Sequence, residues 1–113
     1  MLQNIKDFIW QNSRIVLYGT GQDAEALISY LPKNLVEKLE YCDQNAYIKD
    51  YKFMGKSVMT PVQLSVMESD VAILVSSTGY RHSIYDALVK LGVQCRKIYF
   101  NLLGFNGRIN IEK

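Results

Sequence analysis

The sequence predicts an α/β domain: a mostly parallel sheet of about five strands with helices on both faces. Three observations carry this. Short β-rich apolar runs alternate with segments of helical periodicity along the whole chain. Arg14 to Tyr18 (RIVLY) and Val71 to Val75 (VAILV) are continuous apolar runs, as in strands buried on both sheet faces. Three strand ends run into polar or glycine-rich turns: Gly19-Thr20-Gly21, Asp43-Gln44-Asn45 and Ser76-Ser77-Thr78.

The elements follow in order. Leu2, Ile5, Phe8 and Ile9 recur at helical spacing until Asn12-Ser13 breaks the pattern, so residues 1–13 read as an N-terminal amphipathic helix that packs on the domain. Arg14 to Tyr18 is the first strand. From Asp23, the apolar positions Ala24, Leu27, Ile28 and Leu31 fall at i, i+3, i+4 and i+7, and Pro32 ends that helix. Leu39 to Cys42 is a second strand that closes on a carboxylate. Residues 46–56 are mixed and aromatic, and Val58-Met59 then makes a minimal strand. Thr60-Pro61 follows as an N-cap and first helical position, with a short helix through Val66.

Val71 to Val75 is the central buried strand. Ile84, Ala87, Leu88 and Leu91 form the next helical stripe, with Lys90 in its last turn and Gly92 at the position after its end. Lys97 to Phe100 (KIYF) is the last core strand. In the tail, residues 102–113, Asn106-Gly107 is a two-residue hairpin signal. Residues 14–101 therefore read as one Rossmann-like three-layer domain, because parallel neighbours need crossover helices. In such sheets ligands sit beyond the C-terminal strand ends, where the strand order reverses. The three polar turns converge there.

Composition removes several classes of function. The 113 residues leave room for one domain, half the residues are hydrophobic, and the net charge of +2 comes from 13 basic and 11 acidic residues that are interleaved. No basic stripe marks a nucleic-acid reader. The longest uncharged stretch, Ser57 to Met67, is far short of the ~18 apolar residues of a membrane span. Lys6 and Asp7 interrupt any signal-peptide core, so a cytoplasmic location is expected. Cys42 and Cys95 lie far apart with His82 as the single histidine, which fits neither zinc spacing nor a redox pair. No metal is expected, and both thiols read as buried and reduced.

Gly19 to Ala24 (GTGQDA) fits G-x-G-x-x-(G/A) between a strand and a helix, with Asp43 at the end of the next strand. In this motif the first glycine permits the tight turn and the second lets a pyrophosphate approach the backbone. The small third residue lets helix and strand pack closely. Asp43 would hydrogen-bond ribose hydroxyls, and its charge favours NAD or a nucleoside diphosphate over a 2′-phosphate. Asp23 and Glu25 oppose an anion at the same helix start, by repulsion of about 1 kcal/mol in a partly wet site. A glycine turn that only packs a βα unit is the competing structural reading.

Gly55-Lys56-Ser57 lacks the leading glycine of a phosphate loop, since that position is Asp50. None of the eight tyrosines has a lysine four residues later, so the proton-transfer pair of short-chain dehydrogenases is missing. His82 stands near the third turn as a candidate general base or as an exposed polar residue. Ser76, Ser77 and Thr78 read either as ligand contacts or as caps of the following helix. Tyr41, Tyr47, Tyr51 and Phe53 cluster after the second strand, to stack on a base or to pack the core and its rim.

With these residues in view, the chain resembles a small Rossmann-like domain of bacterial surface-polysaccharide biosynthesis. Such domains occur at the N-terminus of sialic-acid and bacillosamine-type sugar acyltransferases, in polysaccharide-biosynthesis dehydratases, and attached to sugar C-methyltransferases or glycosyltransferases. The resemblance spans Arg14 to Asn101. It rests on Arg14 to Gly21 (RIVLYGTG), Tyr41 to Asn45 (YCDQN), Met54 to Leu64 (MGKSVMTPVQL) and Asp70 to Ser77 (DVAILVSS). It implies a nucleotide-sugar or NAD ligand at Gly19, Thr20, Gly21, Gln22, Asp43, Gln44, Asn45, Ser76, Ser77 and Thr78.

A glycosyltransferase, acyltransferase or methyltransferase partner is implied in the same way. Oligomer formation stays open. The expected function is a non-catalytic binding domain, since the catalytic modules of those proteins lie outside the matching segment. A protein-interaction module with a decayed ligand site and a small NAD-dependent oxidoreductase using His82 are the alternatives.

Overall fold

The most apolar runs of the sequence lie side by side at the centre of a six-stranded sheet. The computed structural model of the chain describes residues 2–77, 81–93 and 97–101. Strands β1 (Ile15–Tyr18), β2 (Leu39–Cys42), β3 (Lys52–Phe53), β4 (Lys56–Met59), β5 (Ala72–Val75) and β6 (Ile98–Phe100) are ordered β3-β4-β2-β1-β5-β6. All neighbours are parallel except β3 and β4. Both β1 and β5 are buried at every position, as expected for strands covered on both faces.

The two-residue period of β1 and β5 divides the core in two. Ile15, Leu17, Ala72 and Leu74 meet helices α1 (Leu2–Gln11), α2 (Gln22–Ser29) and α3 (Lys33–Val36) on one face, through Ile5, Ile9, Leu27 and Leu35. Val16, Tyr18, Ile73 and Val75 meet α4 (Pro61–Ser65) and α5 (Arg81–Lys90) on the other, through Leu64 and Leu88. Helices on both faces follow directly. Ala24, the small residue expected to let helix and strand pack closely, is fully buried.

Capping fixes the helix ends. Thr60 Oγ1 accepts from the backbone N–H of Gln63 while the Gln63 side chain accepts from the N–H of Thr60, with Pro61 in the first turn. At the end of α5, Gly92 takes φ +82° and the N–H of Val93 donates to the Leu88 carbonyl.

Two elements differ from expectation. The sheet has six strands because the mixed segment after β2 adds β3, which turns back onto β4 through Met54 and Gly55, at φ +52° and +80°. Two consecutive positive φ values suit a tight hairpin, but Met-Gly is not one of the dipeptides that signal it. The second difference is α3, which begins just after Pro32. Proline ends α2's apolar stripe and serves as the N-cap of the next helix, so one residue does both jobs.

Two buried-end lysines fasten the layers. Lys38 Nζ donates to the carbonyls of Ile9, Trp10 and Asn12 at 2.7, 3.2 and 2.8 Å, closing the C-terminal end of α1. Lys56 Nζ donates to the carbonyls of Glu37 and Leu39. No helix among the described residues is long and apolar enough to cross a membrane. The Asn106-Gly107 hairpin and Cys95 lie outside the described residues.

Candidate functional site

From β1 the chain passes to β2 and β4 on one side, while β5 and β6 lie on the other, so the order reverses between β1 and β5. A cleft of about 550 Å³ opens at the C-terminal ends of these strands. It is lined by Gly19, Gly21 and Gln22 after β1, by Asp43, Gln44 and Asn45 after β2, and by Ser76 and Ser77 after β5. The three turns singled out in the sequence therefore meet at one site. Thr20 is directed to an adjoining cleft of about 440 Å³ that shares Gly21, Asp43 and Asn45 and adds Ile48, Lys49 and Tyr51. Thr78 lies outside the described residues.

The two glycines differ in role. Gly19 has φ +107°, and a Cβ built there would stand 2.5 Å from Ser76 Oγ. Only glycine fits both the backbone and the neighbour. Gly21 is the N-cap of α2 at φ −87°, and a Cβ there would meet nothing within 4 Å. Its backbone therefore faces open space, the approach that the motif requires of its second glycine. Asp23 lines the larger cleft and, with Glu25, occupies the first turn of α2.

Asp43 organises both turns around it. Its Oδ2 accepts from the backbone N–H of Thr20 at 2.9 Å and from Thr20 Oγ1 at 3.1 Å, and its Oδ1 accepts from the N–H of Asn45 at 2.8 Å. Thr20 Oγ1 lies 2.6 Å from the Tyr51 hydroxyl. Because the Thr20 proton goes to Asp43, Tyr51 is the donor in that contact. A carboxylate has about four lone-pair sites, so one direction remains for a ligand hydroxyl.

Ser76 lines the cleft, and its side chain is engaged with the strand ends. Its Oγ donates to the carbonyls of Tyr18 and Gly19, both at 3.1 Å, and its N–H also donates to the Tyr18 carbonyl. The buried Asn101 side chain in turn donates to the Ser76 carbonyl. Ser76 therefore ties the end of β5 to the end of β1, because two strand-end carbonyls point into a space that its hydroxyl fills.

The aromatic cluster divides likewise. Tyr41 packs edge-on against Phe53 with ring centroids 4.9 Å apart, inside the core. Tyr47 is half exposed and its hydroxyl accepts from the N–H of Val62 at the start of α4. Tyr51 serves Thr20. His82 is exposed on α5 and is absent from the lining of both clefts, although its neighbours Ser83 and Ile84 line the larger one.

Tyr18 was not singled out from the sequence. It lines the larger cleft, is 3% exposed, and its hydroxyl has no hydrogen-bond partner among the described residues. Burial pushes its pKa up to about 12, helped by Cys42 and Asp43 nearby. The Gln44 side chain pulls the other way. The signal was its place as the residue immediately before Gly19. The Cys42 thiol is pushed up by burial and by Asp43, which makes it unreactive. Among the described residues no group of three His, Cys, Asp or Glu side chains gathers to hold a metal ion.

A family model described as C2185-like, N-terminal, matches residues 11–99, so the chain belongs to that family. No curated protein and no solved structure matches it.

Proposed function

We propose that this C2185-like N-terminal domain is a Rossmann-like module that binds a nucleotide, a nucleotide sugar or NAD, without catalysing its conversion. The observation that carries the reading is the convergence of the turns after β1, β2 and β5 on one cleft at the reversal of strand order. The open approach to Gly21 and the remaining acceptor direction of Asp43 suit a backbone-bound phosphate and a ribose hydroxyl. The adjoining cleft lengthens the site to one that suits a two-part ligand. The absence of His82 from the cleft lining weighs against the oxidoreductase alternative. The resemblance of residues 14–101 to domains of surface-polysaccharide biosynthesis supports a role in that chemistry, beside a glycosyltransferase, acyltransferase or methyltransferase.

Calorimetric titration with NAD, NADP, UDP-glucose, GDP-mannose and a CDP-linked sugar tests the proposal. Heat and a raised melting temperature with at least one of them are expected. Uniformly absent heat, with no thermal shift, refutes binding.

One observation favours a second reading, an interaction module with a decayed site: Asp43 is already engaged by Thr20 and Asn45, and Asp23 brings a second carboxylate to the cleft. Asp23→Gly separates the two. A working site changes affinity, whereas a decayed one changes only stability.

A further inference from the structure

A buried hydroxyl without a partner is a cost that phenylalanine would avoid at the same position, since the ring packing would be kept. Tyr18 has such a hydroxyl, and it stands at the wall of the larger cleft rather than deep in the core. Gln44, whose side chain acts on this hydroxyl, is exposed on the 3-10 turn Gln44–Tyr47.

The charges of the two clefts differ. Asp43 lines both, and the larger one adds Asp23 together with the neutral Gln22, Gln44 and Ser83. Lys49, in the smaller cleft, is the basic side chain among the described residues lining either.

We propose, resting on the nucleotide-sugar reading above, that the larger cleft takes the uncharged sugar ring, with the Tyr18 hydroxyl donating to a ring or hydroxyl oxygen as Gln44 swings aside, while the diphosphate lies toward Lys49. Three features single out this arrangement. The phenol stays protonated throughout the physiological range, so it offers a donor and needs an acceptor. Asp23, a carboxylate that lines the larger cleft and not the smaller, disfavours an anion there and favours a neutral group. The amides at the rim pair with hydroxyl groups of either hydrogen-bonding sense.

The experiment compares affinities of the full chain for UDP-glucose against UDP, and for GDP-mannose against GDP, by calorimetry. Wild type, Tyr18→Phe and Lys49→Ala are measured, each with a thermal melt. In the wild type the sugar is expected to add at least tenfold to the affinity for one of these pairs. Tyr18→Phe should abolish that increment and leave nucleoside diphosphate binding unchanged, with a melting temperature equal to or above wild type. Lys49→Ala should weaken the sugar-linked and parent nucleotides by a similar factor.

An increment that survives Tyr18→Phe overturns the placement of the sugar and leaves nucleotide binding standing. Equal loss for both ligands in Tyr18→Phe does the same. A wild type that binds neither pair overturns this inference, and NAD titration then decides the wider reading.

Discussion

Gly19 and Ser76 are fitted to each other across the junction of β1 and β5: the serine hydroxyl occupies the place where a side chain on residue 19 would begin, and donates to the Gly19 carbonyl. The bare backbone of Gly19 thus lets two strand ends close on each other, and the floor of the cleft depends on that closure.

Replacing Gly19 with alanine should therefore be costly. The residue would be held at φ +107° and would displace Ser76 Oγ, for a loss of about 2–4 kcal/mol from backbone strain and overpacking. Gly21→Ala meets open space at an ordinary φ and should change stability by no more than about 1 kcal/mol. Urea denaturation of both variants checks the contrast, and similar losses for the two would contradict it.

Asp43→Ala removes the acceptor for Thr20 N–H, Thr20 Oγ1 and Asn45 N–H. A loss of about 1–3 kcal/mol is expected, since these donors lose a charged partner in a part-buried site. Hydrogen exchange should speed up at Thr20 and Asn45 while the amides within β5 keep their protection. Exchange unchanged at those two amides would show that the carboxylate does not hold the turns.

Lys38→Met keeps the aliphatic stem and removes the ammonium that three carbonyls at the end of α1 share. The expected cost is about 1–3 kcal/mol. Fraying of α1, read as faster exchange of its last-turn amides, should precede global unfolding. A melting curve superimposable on wild type would mean that water serves those carbonyls equally well.

Tyr18 predicts an alkaline limit to stability. Its folded pKa, about 12, lies above the ordinary 10, so its contribution is fully present below pH 10 and is lost as the pH rises from 10 through 12. The full effect is about 2–3 kcal/mol. The Cys42 thiol, raised by burial, adds a loss of the same sign that begins nearer pH 9. Tyr18→Phe should flatten the fall in stability between pH 10 and 11, and an unaltered slope would count against the buried phenol.

Much of this architecture is legible in the residues themselves, because the rules that made it visible are local. Apolar runs without interruption mark β1 and β5, the 3.6-residue stripe marks α2 and α5, and Thr60-Pro61 marks the start of α4. The turns at Gly19, Asp43 and Ser76 are likewise local signals, and a parallel sheet carries strand ends to a common edge. What a side chain does at that edge is decided elsewhere.

Ser76 serves carbonyls 57 and 58 residues away, Asp43 is engaged by Thr20 23 residues earlier, and Lys38 reaches back 26 to 29 residues to cap α1. No periodicity encodes such contacts, since they exist only once distant strands and helices are packed together. Local periodicity and turn chemistry set the strand and helix pattern and the three turns. Only packing brings Ser76 to the ends of β1 and β5, sets Asp43 to brace the rim, and leaves the Tyr18 hydroxyl beside the cleft with no partner among the described residues.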